Sequence, residues 1–262
     1  MKSAVITSVT LFGASAFAAR GTEARWARHA ARRQDRNGFM QLHEQSEAPA
    51  KGENTNVQYS TNWAGAVLSS SGYTEVVGTI HAPTPKDDAG AGSASAWVGI
   101  DGDTCGTAIL QTGIDFSITD NGKVSYDAWY EWYPDYSYDF SGFPISAGDE
   151  IKMTVIATSK SAGTATLENL TSGKTVTHKF SGETQNKLCE YDAEWIVEDF
   201  EEGNSLVTFV DFTTVTFTGA SAVKNGQSVG VTGAAILDIK QDSTVYTDCT
   251  TSGSSTVTCK YV

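Results

Sequence analysis

From about residue 57 to its end the chain is a succession of short runs rich in Val, Thr, Ile, Tyr and Trp. Clusters of Gly, Ser, Asp and Asn separate them, and no run carries the three-to-four-residue apolar period of an amphipathic helix. "WAGAVLS", "TEVVGTIHA", "SASAWVGID", "EIKMTVIAT" and "VTGAAILDIK" are examples. A chain built this way must cover its apolar strand faces with other strands. The expectation is therefore one all-β domain over residues 54–262, a β-sandwich of two antiparallel sheets.

The first 53 residues are of another kind. Met1, Lys2 and the apolar run from Ala4 to Phe17 end in Ala16-Phe17-Ala18, the pattern of a secretory signal peptide over residues 1–18. Residues 19–53 hold all the arginines: Arg20, Arg25, Arg28, Arg32, Arg33 and Arg36. This segment reads as a basic pro-segment, with a disordered tail as the alternative. Of 18 Lys and Arg and 31 Asp and Glu, residues 1–53 carry 8 and 5, which leaves 10 and 26, a net −16, for the remainder. A domain so acidic repels nucleic acid and anionic membranes, and its self-repulsion falls in acid. The basic segment is expected to dock on it and inhibit it until the carboxylates protonate. No second apolar run is long enough to span a bilayer.

Cys105, Cys189, Cys249 and Cys259 make an even count in a chain with a secretory leader, and so two disulfides. Cys249 and Cys259 flank the hairpin-like "TTSGSSTVT" and pair together, which leaves Cys105 with Cys189. Asn169-Leu170-Thr171 is an N-glycosylation sequon in a turn-like setting.

The domain has two histidines, His81 and His178, each in an ordinary strand-like run. A Ser-His-Asp triad, a Cys-His pair, a zinc HExxH motif and a phosphate loop are all missing, and no metal or cofactor is expected. Carboxylates and aromatics remain. Alternation in "YDAWYEWYP" puts Asp127, Trp129, Glu131 and Tyr133 on one face. In "AEWIVEDFEE", Glu194, Ile196, Glu198 and Phe200 share a face. An acid between Ile196 and Phe200 is not a surface pattern, and desolvation is expected to raise its pKa, as an acid–base group needs. Trp97, Gly99 and Asp101 fall together in "SAWVGIDGDTC", as do Ile109, Gln111, Gly113 and Asp115 in "ILQTGID". One concave sheet face lined by Trp97, Asp101, Gln111, Asp115, Asp127, Trp129, Glu131 and Glu198 can be drawn. Strand order is not given by spacing.

The blocks "NWAGAVL", "AWVGIDGDTC", "TAILQTG", "YDAWYEWYP", "DFSG", "ATLENLTSGK", "IVEDFEE" and "CKYV" occur in the order found in the glutamic peptidases, the eqolisin family. Over nearly all of residues 54–262 the chain resembles that family. The resemblance implies two seven-stranded sheets, lectin-like, and a secreted, monomeric fungal acid endopeptidase made as a zymogen, insensitive to pepstatin, acting on polypeptides. It implies a catalytic dyad of Gln111 and Glu198, with Trp97 lining the substrate cleft and Trp63, Asp101, Asp127 and Glu131 near it. Glu198 would take a proton from a bound water and later give it to the leaving amine. Gln111 would hold that water and donate its amide N–H to the oxyanion, with no covalent intermediate. One departure is that "EEGNSLV" lacks a cysteine pair that some relatives carry after "EDFEE". Two other readings stand beside this one: an acid glycoside hydrolase using Glu131 and Glu198 on the same sandwich, and a lectin-like carbohydrate-binding module without catalysis. An aspartic protease fits worst, since it needs two Asp-Thr/Ser-Gly motifs.

Overall fold

A computed structural model describes residues 57–86, 90–202 and 205–262, with the backbone of His43–Glu44. The expected signal peptide and nearly all of the expected pro-segment lie outside the described residues. In chain order the strands are β1 (His43–Glu44), β2 (Val57–Ser60), β3 (Trp63–Ser69), β4 (Tyr73–His81), β5 (Gly92–Ile100), β6 (Ile109–Ile118) and β7 (Val124–Tyr133). There follow β8 (Tyr138–Asp139), β9 (Glu150–Ser159), β10 (Ala162–Asn169), β11 (Lys174–Ser181), β12 (Asp192–Glu198), β13 (Glu201–Glu202) and β14 (Ser205–Leu206). The last are β15 (Thr214–Lys224), β16 (Gln227–Gly230), β17 (Ala235–Gln241), β18 (Thr244–Val245), β19 (Thr247–Ser252) and β20 (Thr256–Tyr261). Among the described residues there is no helix.

Two sheets form, as the alternation requires. The first runs β1-β2-β17-β3-β12-β5-β6-β7-β8, with β18 on β17; the second runs β11-β10-β9-β4-β15-β20-β19, with β16 on β15. Seven strands make up the path of the second sheet. The first also has seven once the two-residue ribbons β1, β8 and β18 are set aside, while β16, as long as β2, brings the second to eight, one more than expected. Among the described residues all strand pairings are antiparallel except β2 with β17, and one isolated bridge, Ser93 with Phe209, is parallel as well.

Period-two burial is plain in β9, where Ile151, Met153, Val155 and Ala157 point inward, and in β10, where Ala165 and Leu167 meet them. Each fully buried Val, Leu, Ile or Met side chain of this kind stabilises the fold by about 1.5–3 kcal/mol. The first sheet differs, since β12 is buried on both faces up to its last residue. Its Ala193, Trp195 and Val197 join the core between the sheets, with Trp195 Nε1 donating to the Val77 carbonyl at 2.8 Å. On the opposite face Trp63, Val67, Trp97, Ile109, Trp129, Ile196 and Leu237 form a second apolar cluster. A sheet face turned away from its partner sheet and still apolar is where a cleft can be built.

Both disulfides are present as paired above, Cys105–Cys189 closing 84 residues and Cys249–Cys259 closing 10 across β19 and β20. The expected glycan site is corrected. Asn169 is buried, its Nδ2 donates to Asp149 Oδ2 at 2.8 Å, and its Oδ1 accepts from the Ser172 N–H at 2.9 Å. The side chain closes the β10–β11 turn and has no amide hydrogen turned out for a sugar.

Candidate active site

Cross-strand register puts the outer face of the first sheet into three rows. Trp63, Glu198, Ser95, Asp115 and Asp127 form one; Leu237, Gly65, Ile196, Trp97, Gly113 and Trp129 the next; Val67, Glu194, Gly99, Gln111 and Glu131 the third. Apart from Asp101, the residues drawn together from alternation therefore do share one face, carried by the order β3-β12-β5-β6-β7.

The middle row is organised by Trp97. A Cβ on Gly113 would lie 2.5 Å from the Trp97 Cβ, and one on Gly99 would lie 2.8 Å from its six-membered ring. Both flanking positions must be glycine for the indole to lie flat on the sheet. So placed, Trp97 packs edge-on against Trp63, with ring centres 4.9 Å apart.

The two indoles converge on Glu198, which is half-buried at the end of β12. Trp97 Nε1 donates to Glu198 Oε2 at 2.8 Å. Trp63 Nε1 donates to Oε1 at 3.2 Å, and Asn62 Nδ2 at 3.4 Å. Ser60 sets up this arrangement: its Oγ accepts the Trp63 N–H at 3.0 Å and donates to Asn62 Oδ1 at 3.2 Å. Three N–H donors on one carboxylate suit its ionised form. They oppose the desolvation expected from Ile196 and Phe200. Trp63 and Trp97 are 2% and 0% exposed, so they hold the carboxylate from beneath rather than form an open wall.

Gln111 is buried in the third row, opposite Glu131 on β7, which is buried as well. Asp127, half-buried, faces Asp115 and lines a cavity of about 260 Å³ with Tyr126, Asp139, Phe140 and Phe143. Asp101 is the residue that the structure takes out of the group. It has φ 70° and is fully buried, and its carboxylate accepts the backbone N–H groups of Cys189, Glu190, Tyr191 and Asp192 at 2.6–3.3 Å. Four bonds use the whole acceptor capacity of a carboxylate. Asp101 pins the loop next to the Cys105–Cys189 bridge instead of facing a substrate.

Three residues at the site were not singled out by alternation. Asn62 and Ser60 precede Trp63, and the signal for Asn62 was its place in "NWAGAVL". Asp199 follows Glu198; its Oδ2 accepts from Gln241 Nε2 at 2.7 Å, and burial pushes it up to about 7, against that hydrogen bond. Asp238 on β17 is pushed up to about 7 by burial too, against bonds from Thr247 Oγ1 and the Cys249 N–H.

His81 contacts the Gly148 carbonyl and His178 stacks on Tyr130, and among the described residues there is no free cysteine. An all-β sandwich that offers a hydrogen-bonded glutamate and a primary amide on one face has the parts of a glutamic peptidase. Comparison with known proteins takes this further. The sequence model of the Peptidase A4 family matches residues 61–261, and the chain belongs to that family. It is 50% identical to Aspergillopepsin-2 of Aspergillus niger over 285 aligned positions, covering 100% of both chains. It is 44% identical to Scytalidopepsin B of Scytalidium lignicola, covering 99% of this chain and 98% of that one. The crystal structure of scytalido-glutamic peptidase with a transition state analog inhibitor superposes with a TM-score of 0.71 at 47% identity, over 77% of this chain and 98% of that one. The protein is a peptidase, a hydrolase of the glutamic class.

Proposed function

We propose that the protein is a secreted acid endopeptidase in which Gln111 and Glu198 activate one water molecule for attack on a peptide carbonyl. Glu198 is the general base. It takes the proton of the water as the oxygen attacks, then returns it to the leaving amine nitrogen. The Gln111 amide N–H holds the water and then the oxyanion. No atom of the protein becomes bonded to the substrate, so no acyl intermediate forms. The observation that carries this reading is the set of N–H donors from Trp63, Trp97 and Asn62 on the Glu198 carboxylate. They hold one carboxylate in a fixed position and in the form that can accept a proton. A neutral amide partner works at any acidity, whereas a second carboxylate there would titrate.

Polypeptides are the substrates under this reading, in line with the structure of SCP-B, a member of the eqolisin family, in complex with the tripeptide Ala-Ile-His. Residues 1–18 direct secretion, and residues 19–53 restrain the monomeric enzyme at neutral pH. The antiparallel pairing of His43–Glu44 with Tyr59 and Ser60 supports that restraint, since it adds pro-segment backbone to the edge of the first sheet. The deciding experiment is digestion of a denatured protein at acid pH by wild type and Glu198→Gln, with and without pepstatin. Cleavage by wild type alone, unchanged by pepstatin, is expected. Cleavage by Glu198→Gln would move the base elsewhere, and inhibition by pepstatin would return the chain to the aspartic class. Hydrolysis of a β-glucan in place of protein would favour the glycosidase reading.

A further inference from the structure

Glu194 is a carboxylate on the cleft face that the proposed reaction does not use. It is 0% exposed and belongs to the same row as Gln111. Register sets it beside Gly99 of β5, and Gln111 of β6 stands on the other side of that glycine. Gly99 puts no side chain of its own between them, and the edge of the Trp97 ring lies over it. Glu194 Oε2 reaches over the middle strand, 3.4 Å from where a Cβ of Gly99 would be. Glu194 Oε1 is occupied, accepting the Asp103 N–H at 3.1 Å. Glu194 Oε2 and Gln111 Oε1 are both buried, and no hydrogen-bond partner reaches either.

Two buried oxygens that only accept cannot satisfy one another, but a proton on one of them satisfies both. Burial pushes Glu194 well above the usual carboxylate range, and the charges of Asp192, Asp103 and Asp101 push the same way, against the single Asp103 N–H. The residues facing it from the other strands are Val67, Gly99 and the Trp97 ring, and none is a cation.

We infer that Glu194 is a positioning residue: its Oε2–H donates across Gly99 to Gln111 Oε1, so that Gln111 Nε2 is turned to the substrate. This rests on the reading of Gln111 as the oxyanion donor. The reversed amide would set its own N–H groups against the Glu194 O–H, so the bond selects one of the two orientations of the side chain. It also polarises the amide and strengthens Nε2–H as a donor. The rival donor to Gln111 Oε1 is Trp129 Nε1, one row along on β7 and also buried without a partner.

Steady-state kinetics on the full chain test this. Glu194→Gln can still accept from the Asp103 N–H and donate to Gln111, and should keep kcat and KM within about threefold of wild type. Glu194→Met has similar length and no donor, and should lose about ten- to a hundredfold in kcat with KM changed less than about twofold. In a Gln111→Ala background the Met substitution should add less than about threefold, because its effect passes through the amide. Wild-type kcat in Glu194→Met, equal losses in the Gln and Met variants, or a full further loss in the Gln111→Ala background would each overturn the inference. If Glu194→Met does not fold, a crystal structure of wild type at acid pH decides. Oε2 within hydrogen-bond distance of Gln111 Oε1 supports the inference, and Trp129 Nε1 or a water on that oxygen sinks it. Near-normal turnover by Gln111→Ala would instead remove the dyad beneath it, and that result needs no Glu194 variant to be seen.

Discussion

Glu194 and Glu198 lie on the same face of β12, one helical-turn's count apart in sequence but two rows apart on the sheet, and they are opposite in character. Glu198, at the strand end, is half-buried and ringed by three N–H groups from two tryptophans and an asparagine. Glu194, inside the strand, is fully buried with one backbone donor and three neighbouring carboxylates. Under the proposed reaction the same side chain serves as a base in one place and as a neutral acid in the other. Donor count and solvent, rather than residue type, divide the two roles.

That contrast can be broken at several points. The largest effect is expected from Glu198→Gln, which keeps the shape and removes the base; peptidase activity should be undetectable while the circular dichroism of the fold is retained. Gln111→Ala should follow, with kcat down about 10²–10³, or ~2.7–4 kcal/mol, the loss typical of an oxyanion donor. Trp97→Phe keeps a ring between Gly99 and Gly113 but removes the shortest donor to Glu198, and a hydrogen bond to a charge is worth about 1.5–3 kcal/mol, so kcat should fall about tenfold or more. Asn62→Ala removes the longest of the three, at 3.4 Å, and should cost no more than a few-fold. If Asn62→Ala were as harmful as Trp97→Phe, the donors would not rank by geometry, and Glu198 would be held by something besides them.

Stability should follow the protonated side of the contrast. Asp199 and Asp238, raised to about 7 from 3.8, keep protons that the unfolded chain has already lost. Their stabilisation is complete below the unfolded value, falls as pH rises from about 4, and is gone once pH passes about 7. Each contributes a slope of about 1.4 kcal/mol per pH unit within that window. Glu194 and Asp101, also raised by burial, act in the same direction. Urea midpoints should therefore decline steadily from acid to neutral pH, and Asp199→Asn should make the decline shallower. A stability that rises towards neutral pH would show that these carboxyls are ionised in the fold.

Much of this was legible in residues 54–262. Alternation placed Asp127, Trp129 and Glu131 on one face, and Gln111, Gly113 and Asp115 on one face, and the register agrees at each position. The even cysteine count and the short hairpin were enough for both disulfides. Asp101 shows where the reading stops. Its parity matched the cleft, but a positive φ at the strand end turns its carboxylate into the 189–192 loop, and parity holds only while the backbone stays extended. Asn169 is similar, since a three-residue motif says nothing about which turn will bury its amide.

Local pattern decides which face a side chain occupies, because a strand repeats every two residues whatever lies beside it. The all-β class, the two-sheet sandwich, the acidic domain with its basic leader and the sharing of faces within each strand were therefore set by the sequence alone. Which strands are neighbours is decided by long-range pairing, which no local period encodes. Only the order β3-β12-β5-β6-β7 brings Trp63 and Trp97 onto Glu198, and only that order places Gly99, without a side chain, between Glu194 and Gln111.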